Sequence, residues 1–368
     1  SANLPDPTIL LPNKHFDTLL YTSNASTQSI TGLEFSPDWL WIKQRNQTSN
    51  HGLFDSVRGA GKSLESNTTT AERTQTDSVT SFDSNGFSLG DNTEAGPDVN
   101  YDNGGTFVAW NWDAGETDGA TYTVKVVSDS GNKYRFNDFG TSAVTLDLAE
   151  GGTYTFDQSD SSMSSHPMQL STTANGTHGG GSAYSTGVTY ELDGSTVTAS
   201  AFISGFSSAS SRKLIITVAA SAPTLYYYCY YHSGMGGQAN TNSTLGSSNF
   251  DGSIQTTVKV NASAGFSIVT YTGTGADATI GHGLGVAPNV AITKKRSGTQ
   301  DWSVKHSGAG SGKVGYLNIR DPFDTSGSGG GIVSDFSSST TYSVTRYNNS
   351  GNYGNVNELS LIHISGPT

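Results

Sequence analysis

Three side chains with soft or borderline donor atoms fall within one short stretch of this sequence. Cys229 is the only cysteine of the 368 residues, and His232 and Met235 follow it at Cys-x2-His-x2-Met spacing. A thiolate, a thioether and two imidazoles are the donor set of a mononuclear copper electron-transfer site. The stretch lacks one imidazole, and His166, in a Ser-His-Pro-Met segment, is the natural candidate to supply it.

The elements that would position these donors have the pattern of β-strands. Residues 151–156 precede the first histidine, and residues 214–218 and 225–228 precede the cysteine stretch. All three segments are rich in β-branched and aromatic residues, which favour strands. The sequence therefore predicts a sandwich whose last two strands aim a ligand loop at an upstream histidine.

At these residues the chain resembles the cupredoxin family, over roughly residues 119–240. The resemblance implies a Greek-key β-sandwich in which an early strand supplies one histidine and a late loop supplies the cysteine, the second histidine and the methionine. Carried onto this chain, the implied type 1 copper ligands are His166, Cys229, His232 and Met235.

Two departures from that family leave alternatives open. Pro167 follows the first histidine where the family often has Asn, and proline has no N–H to tie the site together. His178 is a competing imidazole. Cys229 could also be a plain buried thiol in a vestigial fold, since free cysteine packs as a small hydrophobe. A bound metal could be structural, because metal binding contributes folding free energy.

The composition favours an all-β protein from outside the cell. The chain has 45 glycines and 10% aromatic residues, while charged residues make up only 14%, against about 25% in typical domains. A net charge of -12 argues against a nucleic-acid surface. No window approaches the roughly 20 apolar residues of a membrane-spanning helix, and one cysteine excludes an internal disulfide framework.

An internal repeat flanks the expected metal-binding domain. Residues 266–272 parallel residues 16–22 at an offset of 250, and Pro288 parallels Pro37 at an offset of 251. The repeated segment resembles a module of marine bacteriophage tail and fibre proteins, on motifs at residues 32–45, 55–60, 80–90 and 108–112. The resemblance implies a lectin-like or jelly-roll-like sandwich, and repetition suggests an array.

These observations divide the chain into five parts. We expect a linker at residues 1–14, a β-sandwich module at 15–117, a cupredoxin-like domain at 118–245 and a second, degraded copy of the module at 246–358. The last ten residues, 359–368, resemble a translated sequencing adapter and are expected to be a non-native tail of a metagenomic fragment. The second copy shows no clear counterpart of the closing strand at 108–112, which predicts an exposed sheet edge.

Two further groups of residues could form a functional site, but each has a simpler structural explanation. Asp55, Arg58 and His51 could form an acid/base group, but a solvated loop with one Asp–Arg pair is the simpler expectation. Trp110 and Trp112 share one face of a strand and could stack on a sugar, although core packing is the simpler expectation. No hydrolase, zinc or dinucleotide-binding signature is present.

The sequence thus predicts a non-enzymatic, phage tail-associated protein of the virion or the extracellular space. Its sandwiches would bind a host-surface glycan or receptor and other virion proteins, with homo-oligomerisation left open, and its central domain would bind copper. The alternative is a secreted copper electron carrier with accessory β domains. A glycan-active enzyme is a third hypothesis, supported only by the fold.

Overall fold

The structure is a computed structural model that describes residues 11–116, 119–324, 336, 338–344 and 356–364, the last range by its backbone. Strands dominate it, and the predicted all-β sandwich architecture is confirmed. The chain divides into two compact units. Unit 1 combines Ser1–Glu116 with Ile254–Thr368, and unit 2 is Thr117–Ser253. The two copies of the repeat therefore belong to one unit.

The first copy of the repeat is a sandwich of two sheets. Its sheets have the orders β1-β9-β3-β4-β5-β6 and β2-β8-β7. A short 3-10 helix, Pro12–Lys14, precedes them. The strands are β1 (Phe16–Thr22), β2 (Gln28–Thr31), β3 (Trp39–Gln44), β4 (Gly52–Asp55), β5 (Lys62–Glu65), β6 (Arg73–Thr74), β7 (Val79–Asp83), β8 (Gly86–Leu89) and β9 (Thr106–Trp112).

Period-2 patterning builds this core. Leu40 and Ile42 of β3 point inward with Phe107 of β9, and they meet Phe87 of β8 across the sandwich. The intervening tryptophans point to the other face of the larger sheet, where Trp39 is buried, as strand alternation requires. Alternation therefore decides which face of the sheet carries the indoles, and Trp110 and Trp112 of β9 share one face, as predicted.

The second copy repeats most of this strand order. Its strands are β21 (Thr256–Asn261), β22 (Phe266–Thr274), β23 (Ala278–Gly281), β24 (Val290–Lys295), β25 (Ser303–His306), β26 (Gly315–Tyr316), β27 (Thr341–Val344) and β28 (Val356–Ile364), with a 3-10 helix at Ser307–Ala309. The order β22-β28-β24-β25-β26 repeats β1-β9-β3-β4-β5, and β23 pairs with β27 as β2 pairs with β8.

The expected missing closing strand is present, so that prediction was wrong. β28 pairs antiparallel with both β22 and β24, the position that β9 has in the first copy. The sequence comparison failed because β9 carries tryptophans at 110 and 112, whereas β28 has isoleucines at the corresponding positions 362 and 364. Backbone pairing needs no such match. The non-native origin of residues 359–368 stays a prediction.

Unit 2 is a second kind of sandwich, with mixed sheets in the orders β11-β10-β13-β17-β15-β16 and β12-β19-β18-β14. Its strands are β10 (Gly119–Ser128), β11 (Asn132–Phe136), β12 (Leu146–Leu148), β13 (Thr153–Asp157), β14 (Met168–Ser171), β15 (Val188–Leu192), β16 (Ser195–Val197), β17 (Arg212–Thr217), β18 (Leu225–Cys229), β19 (Gly237–Thr241) and β20 (Ser247–Asn249). The α-helix α1 spans Ala199–Gly205, and 3-10 helices span Ser161–Met163 and Gly176–Gly179.

One aromatic-rich core joins the sheets of unit 2. Tyr122 and Phe156 of the larger sheet are buried with Leu170, Tyr227 and Cys229 of the smaller one. The strands predicted at 151–156, 214–218 and 225–228 correspond to β13, β17 and β18. The unit extends to Ser253, past the expected domain end at 245. No described helix is long and apolar enough to cross a membrane.

The loop expected to carry a solvated Asp–Arg pair is instead buried, so that expectation was wrong. Asp55 and Arg58 form an ion pair whose side chains are both fully buried, and Arg58 also contacts Glu72 at 3.2 Å. His51 accepts a hydrogen bond from the Trp41 indole at 2.8 Å. Sequence could not reveal this burial because Glu72 comes from a later segment.

Candidate metal centre

Antiparallel pairing of two strands brings the distant histidine to the cysteine. Met168 of β14 is the register partner of Cys229 of β18. Residues just before Met168 therefore lie opposite residues just after Cys229, which brings the segment of His166 to the segment of His232. The Tyr230 N–H donates to the Pro167 carbonyl at 2.9 Å, which extends the pairing by one step beyond the strand.

The three donor groups surround one small volume. The Cys229 Sγ lies 3.5 Å from His232 Nδ1 and 3.9 Å from His166 Nδ1, and the two imidazole rings are 4.5 Å apart. An ion bonded to sulfur at ~2.3 Å and to nitrogen at ~2.0–2.1 Å holds those donors about 3.5–3.8 Å apart at tetrahedral or trigonal angles. The sulfur–nitrogen separations therefore fit a shared metal ion.

Burial differs sharply among the three donors. Cys229 is fully buried, His166 is half-buried and His232 is exposed. Burial, and then the nearby His232, lowers the pKa of His166. A lowered pKa keeps this imidazole neutral near pH 7, and the neutral ring is the metal-binding form.

Met235 completes the predicted donor set on the same loop. Its side chain is buried at 1% exposure and packs into the hydrophobic cluster that also contains Cys229. Its backbone carbonyl accepts a hydrogen bond from the Tyr134 N–H at 3.0 Å. The thioether thus lies in the protein interior, and its role as an axial ligand stays a prediction.

A second loop makes hydrogen bonds to the ligand loop. Pro167 cannot make such a bond, because proline has no N–H. The Asn175 side chain donates to Ser233 Oγ and accepts from the Gly234 N–H, both at 2.9 Å. His178 Nε2 lies 3.0 Å from the Cys229 carbonyl oxygen. His178 therefore contacts the backbone of the cysteine and is not part of the donor group, although it was a competing imidazole by sequence.

Tyr134 of β11 is the other residue that sequence reasoning missed. Its side chain is fully buried, and its hydroxyl donates to the His166 carbonyl at 2.9 Å. Burial, followed by the adjacent Cys229 thiol, raises its pKa well above the ordinary value, so the phenol stays protonated at neutral pH. No local signal marks this tyrosine, because it is one of several aromatics on alternating strand positions.

Within the described part of the chain, His166, Cys229 and His232 are the one group of three or more His, Cys, Asp or Glu residues arranged to hold a metal ion. The other aromatic candidates fall in unit 1. Trp110 and Trp112 are both half-buried on one face of the larger sheet. Trp112 packs in the cluster that contains Trp39 and stacks on Phe266 at 6.1 Å, as core packing predicts, and Trp110 meets Trp41 edge-on at 6.2 Å.

The chain belongs to a family described as a domain of unknown function, DUF7483. The family matches residues 11–148 and 238–361, well over half of the chain. No curated protein and no solved structure matches it. All four predicted ligands lie between the matched ranges, so family membership carries no information about the metal centre.

The strands that flank the unmatched residues 149–237 pair with each other. Leu148 of β12 and Thr241 of β19 are register partners in a parallel pair. The matched parts of unit 2 therefore meet in one sheet, although the segment between them lies outside the family match.

Proposed function

We propose that unit 2 is a mononuclear copper-binding domain of the electron-transfer type. The observation that carries the proposal is the convergence of His166, Cys229 and His232, with the sulfur 3.5 and 3.9 Å from the two ring nitrogens. Thiolate and imidazole are donors that suit copper, and copper(II) forms the most stable complexes in the divalent first-row series. A bound copper ion would supply reversible one-electron transfer.

The protein's own residues set the properties of such a site. Cys229 is buried, so the thiolate is shielded from water and from competing oxidants. His232 is exposed, so one donor edge faces solvent, where an electron-transfer partner can approach. The ligand loop is fixed from three sides by Asn175, His178 and Tyr134, which limits movement between oxidation states.

Metal analysis and visible spectroscopy of the purified protein test this proposal. Added copper(II) should bind at one ion per chain and give an intense thiolate-to-copper absorption. Cys229→Ser should abolish the absorption, whereas His51→Gln, which removes an imidazole of unit 1, should leave it unchanged. A colourless protein at saturating copper, or preferential uptake of zinc, would reject a copper redox centre.

We also propose a role for unit 1 in attachment outside the cell, as part of a phage tail or fibre. Two copies of one sandwich that share most of their strand order support an array-like protein. Strands β1 and β9 of the first copy carry Leu20, which is 64% exposed, and half-buried Trp110. Aromatic residues on such strands suit a host-surface glycan or receptor.

Binding of the full chain to host cells and to a glycan panel tests the attachment role. Trp110→Ala should weaken binding at least tenfold, while the matched change of the exposed Tyr101 to Ala should have little effect. Absence of binding to any glycan or cell, together with absence from virions, would contradict this role without affecting the copper proposal.

A further inference from the structure

Tyr134 contacts three of the four residues predicted to bind the metal. Its hydroxyl donates to the His166 carbonyl at 2.9 Å, and its backbone N–H donates to the Met235 carbonyl at 3.0 Å. The Cys229 thiol lies beside the same hydroxyl. His166 and Met235 come from two loops separated by 69 positions, so this single strand residue links both sides of the site.

We propose that Tyr134 is a positioning residue of the metal centre, which holds the His166 loop and the Met235 loop in one fixed arrangement around Cys229. This inference rests on the proposed copper function. It deepens that function by naming a residue outside the donor set that determines the geometry of the donors.

The surroundings of Tyr134 suit this role. The ring is buried in the core of unit 2, and its own carbonyl accepts from the Ala143 N–H at 2.8 Å. The residue is therefore anchored through backbone and ring before its hydroxyl reaches the site. A hydroxyl on a rigid strand is a more accurate tether than one on a loop.

The expected effect on the metal follows from the geometric preferences of copper. Copper(II) favours tetragonal arrangements. Loss of the hydroxyl frees the His166 loop, so the site can relax toward the arrangement that copper(II) prefers. This relaxation favours the oxidised ion and lowers the reduction potential.

Tyr134→Phe removes the hydroxyl and preserves the ring and the backbone N–H. Tyr122→Phe is the matched control, because Tyr122 is equally buried in the same core and its hydroxyl donates to the Ser248 carbonyl at 2.8 Å, away from the donors. We compare three properties of the wild type and the two variants: the copper stoichiometry, the visible and paramagnetic resonance spectra, and the reduction potential. The potential is measured at an electrode. Thermal midpoints of the metal-free proteins show whether the fold is equally perturbed.

We expect Tyr134→Phe to keep its fold, to change the charge-transfer spectrum and to lower the ratio of copper(I) to copper(II) affinity about tenfold, which equals about 59 mV for one electron. Loss of copper from a folded Tyr134→Phe protein would support the same role. Shifts no larger than those of Tyr122→Phe would overturn the inference alone, whereas failure of the wild type to bind copper would overturn it together with the proposed function.

If Tyr134→Phe does not fold, a ring-fluorinated tyrosine at position 134 replaces it. This residue keeps the shape and makes the hydroxyl a stronger donor, so the potential should rise. An unchanged potential and spectrum would again overturn the inference.

Discussion

Residues that bind no metal decide whether the predicted donors can act together. Pro167 lacks the N–H that would tie the site, and Asn175 makes two hydrogen bonds to the ligand loop in its place. Asn175 adopts a left-handed backbone with φ of 61°, which asparagine tolerates better than most residues. Its side chain can therefore reach across to Ser233 and Gly234.

Asn175→Ala should loosen the ligand loop specifically. We expect a loss of about 1–2 kcal/mol in the unfolding free energy of unit 2, because two hydrogen bonds disappear and alanine is strained at positive φ. Copper should also dissociate several-fold faster, as measured by transfer to a chelator. Asn242→Ala is the control, since Asn242 has a φ of 57° and bonds the Ala222 carbonyl elsewhere in unit 2. Equal copper release from both variants would contradict this assignment.

Lys294 gives unit 1 an alkaline pH dependence. Burial lowers its pKa to about 8, and its amine contacts backbone carbonyls of Thr69, Lys295 and Gly298 at 2.8 to 3.3 Å. The unfolded lysine has a pKa of about 10.4, so between pH 8 and 10 the unfolded chain binds more protons than the folded one. Stability therefore rises with pH across this window.

We expect the unfolding free energy of unit 1 to increase by about 2 kcal/mol from pH 8 to pH 10, measured by urea titration. Lys294→Met should remove the increase, and Lys43→Met, at the corresponding site of the first copy, should keep it. Above about pH 10 the buried tyrosines act in the opposite direction, because burial raises the pKa of Tyr271 and Tyr342. A flat profile in the wild type would refute the role of Lys294.

At the scale of elements, the turn Gly176–Gly179 supports the cysteine strand. His178 on this turn contacts the Cys229 carbonyl, and Gly176 packs directly against the ring of Tyr228. Gly176 also has a φ of 53°, so the position needs glycine for two reasons. The turn covers the face of β18 away from the core, which explains why neighbouring Tyr227 and Tyr228 are both buried.

Gly176→Ala should damage the site through this turn. A methyl group there would overlap the Tyr228 ring, and we expect a loss of about 2–4 kcal/mol from overpacking and backbone strain together. Gly180→Ala is the control, because Gly180 has a φ of 83° but open space around its Cβ position, so it should lose only about 1–2 kcal/mol. Calorimetry of the metal-free proteins measures both, and equal losses would show that the contact with Tyr228 is unimportant.

At the scale of the whole molecule, the two copies of the repeat form unit 1 by direct contact. Glu72 of the first copy receives two hydrogen bonds from Arg296 of the second, at 2.7 and 3.0 Å, and also contacts Arg58. Burial opposes ionisation of Glu72, but the hydrogen bond from Arg296 and the charges of both arginines hold its pKa below the ordinary value. The Trp302 indole N–H also donates to the Glu65 carbonyl at 2.8 Å.

Glu72→Gln should weaken this junction. The change leaves two largely buried guanidinium groups with one fewer anion, and breaking such a pair costs about 3 kcal/mol. Chemical unfolding of the full chain should show this loss in unit 1. Asp91→Asn, at an exposed position, should stay within about 0.5 kcal/mol of the wild type. A similarly small effect of Glu72→Gln would mean that apolar packing alone joins the copies.

The sequence determined the strands, the repeat and the candidate donors, because these depend on local patterns. The shared face of Trp110 and Trp112, the strand ahead of His166 and the Cys-x2-His-x2-Met spacing could all be recognised within a few neighbouring residues. The same local view missed β28, where backbone pairing persists although the tryptophans of β9 have no counterpart. It also mistook the buried Asp55–Arg58 pair for a solvated one.

Only the tertiary structure decided that His166 meets Cys229, because the register of β14 on β18 is a contact between segments about 60 residues apart. The supporting roles of Tyr134 and Asn175 depend in the same way on chain folding that brings separate loops together. Hydrogen bonds between distant segments leave no periodic signal in a single sequence, since any tyrosine or asparagine could make them. The candidate donor residues could therefore be identified from the sequence. The packing of the sandwich decided that the donor atoms of His166, Cys229 and His232 lie close together.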